Sequence, residues 1–270
     1  MKRKELRKAY RLKKKQLKKE YKISKRQTDN KKQLRKEYKK NKKELLFEYV
    51  EKINIEYNID PKKDAPYRYL LEEIGNAITH GVGSLLSIVA LILMLLKSDS
   101  ITDMFSSIVY FIGLFILFTM SCLYHSFPYA STVKKVFRRF DYLSIYLLIG
   151  ATFAPILLSY IGGTSGNIFF LVQWIIIVFG VTMISVFGPG KIKWLHFTLY
   201  ILLGWCGIMF IPQMLNDNIN LFFFILGGGV IYTLGIIPFT IDKKVSHFLW
   251  HFFVLFGAII QWFGIYLYIF

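Results

Sequence analysis

His247 and His251 stand four positions apart, the spacing that puts two imidazoles on one face of an α-helix. One helix can supply two ligands to Zn2+ in this way. His125 closes another apolar segment and could be a third ligand. Three protein ligands with one position left open is the arrangement of a catalytic zinc. By itself an HxxxH spacing occurs in many helices that bind nothing. The run His247-Phe248-Leu249-Trp250-His251 holds no Glu, so a general base must come from elsewhere. Asp141 is the candidate, as the only acidic residue inside the apolar segments after Glu73. It could orient or deprotonate a water beside a metal. It could equally be an interfacial carboxylate next to Arg138 and Arg139 at a helix N-terminus. Ser121, four residues before His125, falls on the same helix face. It could hold a water or a substrate carbonyl near a metal, or simply bond back to its own helix.

The elements that must position these residues are apolar and long. The chain is 54% hydrophobic with 25 Phe and 17 Tyr, yet it holds 35 Lys and Arg. Segregation explains both extremes. Residues 1–76 contain 26 of the 35 basic residues and 12 of the 17 acidic ones, leaving +14 there and +4 on the other 194. Cys122 and Cys206 lie inside apolar runs and do not form a CxxC pair, which argues against a disulfide framework or a cysteine zinc site. The polar start is too long for a signal peptide, so the first span is expected to act as the membrane signal.

Seven segments are long enough to cross a bilayer, each needing about 20 apolar residues. They are approximately 77–96, 104–124, 141–160, 168–187, 194–213, 219–239 and 246–269. Runs this long satisfy their backbone as helices. The expected fold is an all-α membrane protein, a seven-transmembrane-helix bundle with a basic N-terminal arm. Basic residues alternate between the joints. The arm, 125–140 (Lys134, Lys135, Arg138, Arg139), 188–193 (Lys191, Lys193) and 240–245 (Lys243, Lys244) are rich. The joint 97–103 has Lys97 alone, beside Asp99 and Asp103, and 161–167 and 214–218 have none. The positive-inside rule then expects a cytoplasmic N-terminus and a C-terminus outside. On that orientation His80, His125, His196, His247 and His251 all fall at the cytoplasmic end of their spans. Ionisable groups in a span usually face a cavity or a partner, although each histidine alone could be interfacial.

Residues 1–66 read as a Lys-rich cytoplasmic arm, partly helical or disordered, and 67–270 as the membrane domain. Leu6, Tyr10, Leu17 and Tyr21 could form a thin helical stripe without a sustained heptad. Pro61 and Pro66 are expected to break the chain before the first span. Membrane lipids are the expected partners, and the arm could lie on anionic headgroups at about 1 kcal/mol per basic residue. No motif backs its charge for nucleic-acid binding, so none is expected.

Four stretches resemble one family in order: Glu72-Glu73-Ile74-Gly75-Asn76-Ala77-Ile78-Thr79-His80-Gly81, Ser121-Cys122-Leu123-Tyr124-His125, Asp141-Tyr142-Leu143-Ser144-Ile145 and His247-Phe248-Leu249-Trp250-His251. Over residues 68–270 the chain resembles the bacterial hemolysin III proteins, within the progestin and adiponectin receptor family. That resemblance implies seven spans, a cytoplasmic N-terminus and a zinc near the cytoplasmic face. It makes His125, His247 and His251 the ligands, with Asp141 and Ser121 around the water. The wider superfamily includes alkaline ceramidases, so the implied chemistry is hydrolysis of a lipid amide or ester. His80 belongs to the opening motif but is not expected to be a ligand, and His196 reads as structural or interfacial.

Other classes compete. A membrane-lytic pore former would insert from a soluble state, whereas seven uninterrupted spans fit constitutive insertion. A seven-span receptor would use the zinc structurally. A retinal protein is disfavoured because the last span has no lysine. A transporter would show broken helices in paired halves, which Pro155, Pro212 and Pro238 near span ends do not clearly provide. The run Gly227-Gly228-Gly229 is expected to serve tight helix packing, with a lateral opening as the alternative.

Overall fold

The fold comes from a computed structural model, which describes residues 3–60, 64–241, 243 and 245–270. Pro61 and Lys244 lie outside the described residues. The chain divides into two compact units, Met1–Tyr67 and Arg68–Phe270. All regular structure among the described residues is helical.

The first unit is a helical hairpin of α1 (Arg3–Gln27) and α2 (Lys31–Glu56). Asn30 starts α2 by accepting the Gln33 amide at 3.1 Å. The thin stripe seen in the first helix meets a matching stripe on the second. Tyr10 stacks on Tyr49 at 4.5 Å and Tyr21 on Tyr38 at 4.3 Å between ring centroids. Pairs of this kind add about 0.5–1.5 kcal/mol each beyond burial. Two ammonium groups, Lys52 at 2.7 Å and Lys13 at 3.1 Å, hold the Glu48 carboxyl below its ordinary range. The arm is thus helical along most of its length, because pairing supplies what a single narrow stripe lacks.

The second unit contains seven helices long and apolar enough to cross a membrane. They are α3 (Leu70–Lys97), α4 (Ile101–Ser126), α5 (Thr132–Ala154), α6 (Gly163–Phe187), α7 (Lys193–Trp205) continued by α8 (Ile211–Asp217), α9 (Ile219–Thr240) and α10 (Ser246–Tyr268). Two begin well before their apolar runs. α3 starts at Leu70 rather than 77, and α5 at Thr132 rather than 141. A hydrophobic run marks the part of a helix that suits lipid, and the backbone ladder continues past it. The segment 125–140 is therefore no simple loop. Ser131 caps α5 by accepting the Lys134 amide at 3.1 Å, and Lys134 and Arg138 are buried helical residues. Asp141 sits well inside α5 rather than at its start.

Two spans expected to be uninterrupted are broken in their hydrogen-bond pattern. The third passes into a π-helical turn at Pro155–Ile161, where proline removes one donor. The fifth passes through a 3-10 turn at Cys206–Phe210 before Pro212 opens α8.

Close contacts pin the bundle where the chemistry lies. α10 packs against α9 and α3, and α4 lies between α3 and α5. A Cβ on Gly75 would meet the Phe248 ring at 2.7 Å, so this glycine lets α10 approach α3 beside His247. Of the triple glycine, only Gly228 is in tight contact, against Gln261 and the Gly257 carbonyl. Gly113 faces Ala151 and the Leu147 carbonyl, the latter 2.9 Å from a Cβ built there. We expect Gly113→Val to cost about 1–3 kcal/mol by forcing α4 from α5, lowering the thermal midpoint of the detergent-solubilised protein by several degrees. Gly204→Ala, where a Cβ meets nothing within 4 Å, should cause no loss. Equal midpoints for both variants would contradict this packing.

Candidate metal centre

α4 delivers His125 in its last turn, and α10 delivers His247 and His251 in its first two turns. The loop before α10 is closed by Ser246, whose hydroxyl donates to the Lys243 carbonyl at 2.7 Å. Because α3 brings α10 against α4, the three imidazoles converge. Their ring centroids are 5.3 Å (His125–His247), 4.7 Å (His125–His251) and 5.0 Å (His247–His251) apart. One ring nitrogen from each lies within 4.8 Å of the others, and all three residues are buried. His125 Nε2, both nitrogens of His247 and His251 Nδ1 have no hydrogen-bond partner in the protein. Unpaired polar atoms in an apolar interior cost free energy. With one nitrogen offered by each ring, the three residues form a group that could hold a metal ion.

Asp141 and Ser121 come together with His247 and His251 of this group on one wall. Both line a cavity of about 150 Å3 together with His80, His247 and His251. The cavity continues past Ile145, Leu148 and Val254 to Gln261. His251 and Gln261 are ten positions apart on α10, about 15 Å at 1.5 Å per residue. One end is thus polar and the rest is walled mainly by apolar side chains. His80 is buried with both nitrogens unpartnered, its ring 3.9 Å from that of His251, yet it lies outside the three-nitrogen group. His196 sits apart, its Nδ1 3.0 Å from the Tyr146 hydroxyl.

Three polar residues behind His125 were not singled out by spacing. Glu73 Oε2 lies 2.6 Å from His125 Nδ1, the Asn76 amide 3.3 Å from the same atom, and Lys134 Nζ 3.0 Å from Glu73 Oε1. A signal existed in the spacing of Glu73, Asn76 and His80, three and four apart on one helix face. Lys134 had none, since it reads as one more positive charge in a joint.

Comparison with known proteins follows the membrane unit. Residues 68–262 match the family model described as "Haemolysin-III related". Hemolysin-3 of Bacillus cereus is 34% identical over 207 residues, covering 75% of this chain and 94% of that protein. The Hemolysin-3 homolog of Bacillus subtilis (strain 168) is 32% identical over 203 residues, covering 73% and 94%. The human monocyte to macrophage differentiation factor is 26% identical over 207 residues, covering 74% and 85%. The resemblance carried by the four sequence stretches is borne out: with its seven apolar spans, this chain is a multi-pass membrane protein that belongs to the haemolysin-III-related family.

Proposed function

We propose that the chain is a zinc-dependent hydrolase of a lipid amide or ester. One observation carries the reading: a cavity with long apolar walls is lined at one end by Ser121, Asp141, His247 and His251, and the last two cluster with His125. The donor set fits the ion. Three imidazoles with a carboxylate nearby and a position open are a zinc set, and softer or harder metals favour other donors. Nitrogens bound to tetrahedral zinc are about 3.4 Å apart, so the cluster closes with shifts of about an ångström.

His125, His247 and His251 would hold the ion, which supplies Lewis acidity toward a carbonyl and acidifies water. The apolar walls would take the acyl chain and leave its polar link at the Asp141 end. Asp141 would accept a proton from the attacking water as its oxygen adds to the carbonyl carbon. Ser121 would donate to Asp141 and fix the orientation of that carboxylate. The C–N or C–O bond then breaks, and the proton held on Asp141 passes to the departing amine or alcohol. The polar end would face the cytoplasm, a reading that the cationic joints support under the positive-inside rule.

Metal analysis of the purified protein should find about one zinc per chain, with His125→Ala, His247→Ala and His251→Ala each losing most of it. Asp141→Asn should keep the zinc and lower fatty-acid release from ceramide-like or phospholipid substrates by about 10^2–10^4-fold. Full zinc in the His247→Ala/His251→Ala double variant would sink the ligand assignment. Zinc without release across a broad lipid panel would favour a receptor with structural zinc. Dye leakage from liposomes that survives chelation would favour a membrane-lytic protein.

A further inference from the structure

Among the described residues of the membrane unit, Lys134 is the one buried lysine, with 1% of its surface exposed. Lysine is almost never buried this deeply without partners. Its three N–H donors are all taken: Glu73 Oε1 at 3.0 Å, the Tyr124 carbonyl at 2.9 Å and the Phe127 carbonyl at 3.1 Å. The two carbonyls belong to the C-terminal end of α4, where Phe127 is the cap residue. A cation there meets the negative end of the helix dipole. That same last turn carries His125.

Glu73 completes the chain of contacts. Its second oxygen lies 2.6 Å from His125 Nδ1. An ionised carboxylate can only accept, so the proton of this bond sits on Nδ1. The neutral ring then carries its lone pair on Nε2, the nitrogen without a partner in the protein. The Asn76 atom placed 3.3 Å from Nδ1 is the amide nitrogen, and its Oδ1 has no partner; exchanging the two by an amide flip gives the Nδ1 proton a second acceptor.

We infer that Glu73 and Lys134 are positioning residues that fix His125 in its Nδ1–H tautomer and aim Nε2 at the His247 and His251 pair. Lys134 anchors the carboxylate by charge and seals the helix end on which His125 stands. Glu73 sets which ring nitrogen is free. The three residues come from the first turn of α3, the last turn of α4 and the first turn of α5, so the arrangement also registers three spans at the site. The metal-directed part of this inference rests on the zinc reading above; the tautomer does not.

The test uses the full chain in nanodiscs with two measurements. Histidine 15N NMR of the metal-free protein reports the His125 tautomer, and chelator competition reports zinc affinity. Wild type should show His125 wholly as Nδ1–H. Glu73→Gln, whose amide can donate as well as accept, should give a mixture of tautomers and bind zinc about 10–100-fold more weakly. Glu73→Asp keeps the charge but retracts the carboxylate, and should lose affinity similarly. Lys134→Met should weaken zinc binding, with Lys134→Arg recovering part of it. Unchanged tautomer and zinc affinity in both Glu73→Gln and Glu73→Asp would overturn the inference and reduce the contact to a structural ion pair. Wild type that binds no zinc while holding the Nδ1–H tautomer would remove the zinc reading and leave the positioning role standing.

Discussion

Everything at this site follows from placing three imidazoles against one another where no bulk solvent can satisfy them. His125, His247 and His251 are buried and leave four ring nitrogens without a protein partner. In water such nitrogens would be hydrated at no cost. In an apolar bundle each one costs free energy unless something accepts or donates to it. The helices are arranged around this requirement. α10 leans on α3 across Gly75, which carries the His247–His251 face toward the last turn of α4. Behind His125, Glu73 is paired with Lys134 at 3.0 Å. The cluster itself is left with one nitrogen from each ring within 4.8 Å of the others, a set that could hold a metal ion.

The breaks in the spans make sense beside that centre. A bundle of straight, fully ridged helices would close its own interior. Here the third span changes to π geometry at Pro155 and the fifth to 3-10 geometry at Cys206. Phe153, two positions before the first change, and Trp205, immediately before the second, both line the cavity. The glycines divide the work. Gly228 allows α9 and α10 to touch, while Gly229 lines the cavity and meets nothing within 4 Å. Of the single run of three glycines, one member is for packing and its neighbour is for space.

Much of this was legible in the sequence, for a physical reason. A lipid-spanning helix must be apolar over about 20 residues, so the seven spans stand out by composition. An i, i+4 histidine pair can only share a face, and His247 and His251 do so beside His125. What the sequence hid were features in which charge plays against type. Lys134 reads as a solvated joint residue, yet it is buried with every donor used. Glu73 reads as a polar flank, yet it backs a histidine 52 positions away in the chain. Asp141 lies deeper in its helix than the apolar run implies, because helices outlast their hydrophobic stretches. The arm read as partly helical or disordered with a thin stripe, since the partner stripe belongs to a different segment.

The central claim, that three histidines from α4 and α10 hold one metal ion, is tested most directly by X-ray absorption at the metal edge of the purified full chain. The account predicts zinc with three imidazole nitrogens at about 2.0–2.1 Å, one lighter scatterer and no sulfur. A sulfur shell at about 2.3 Å, or a first shell without imidazole scattering, would contradict it.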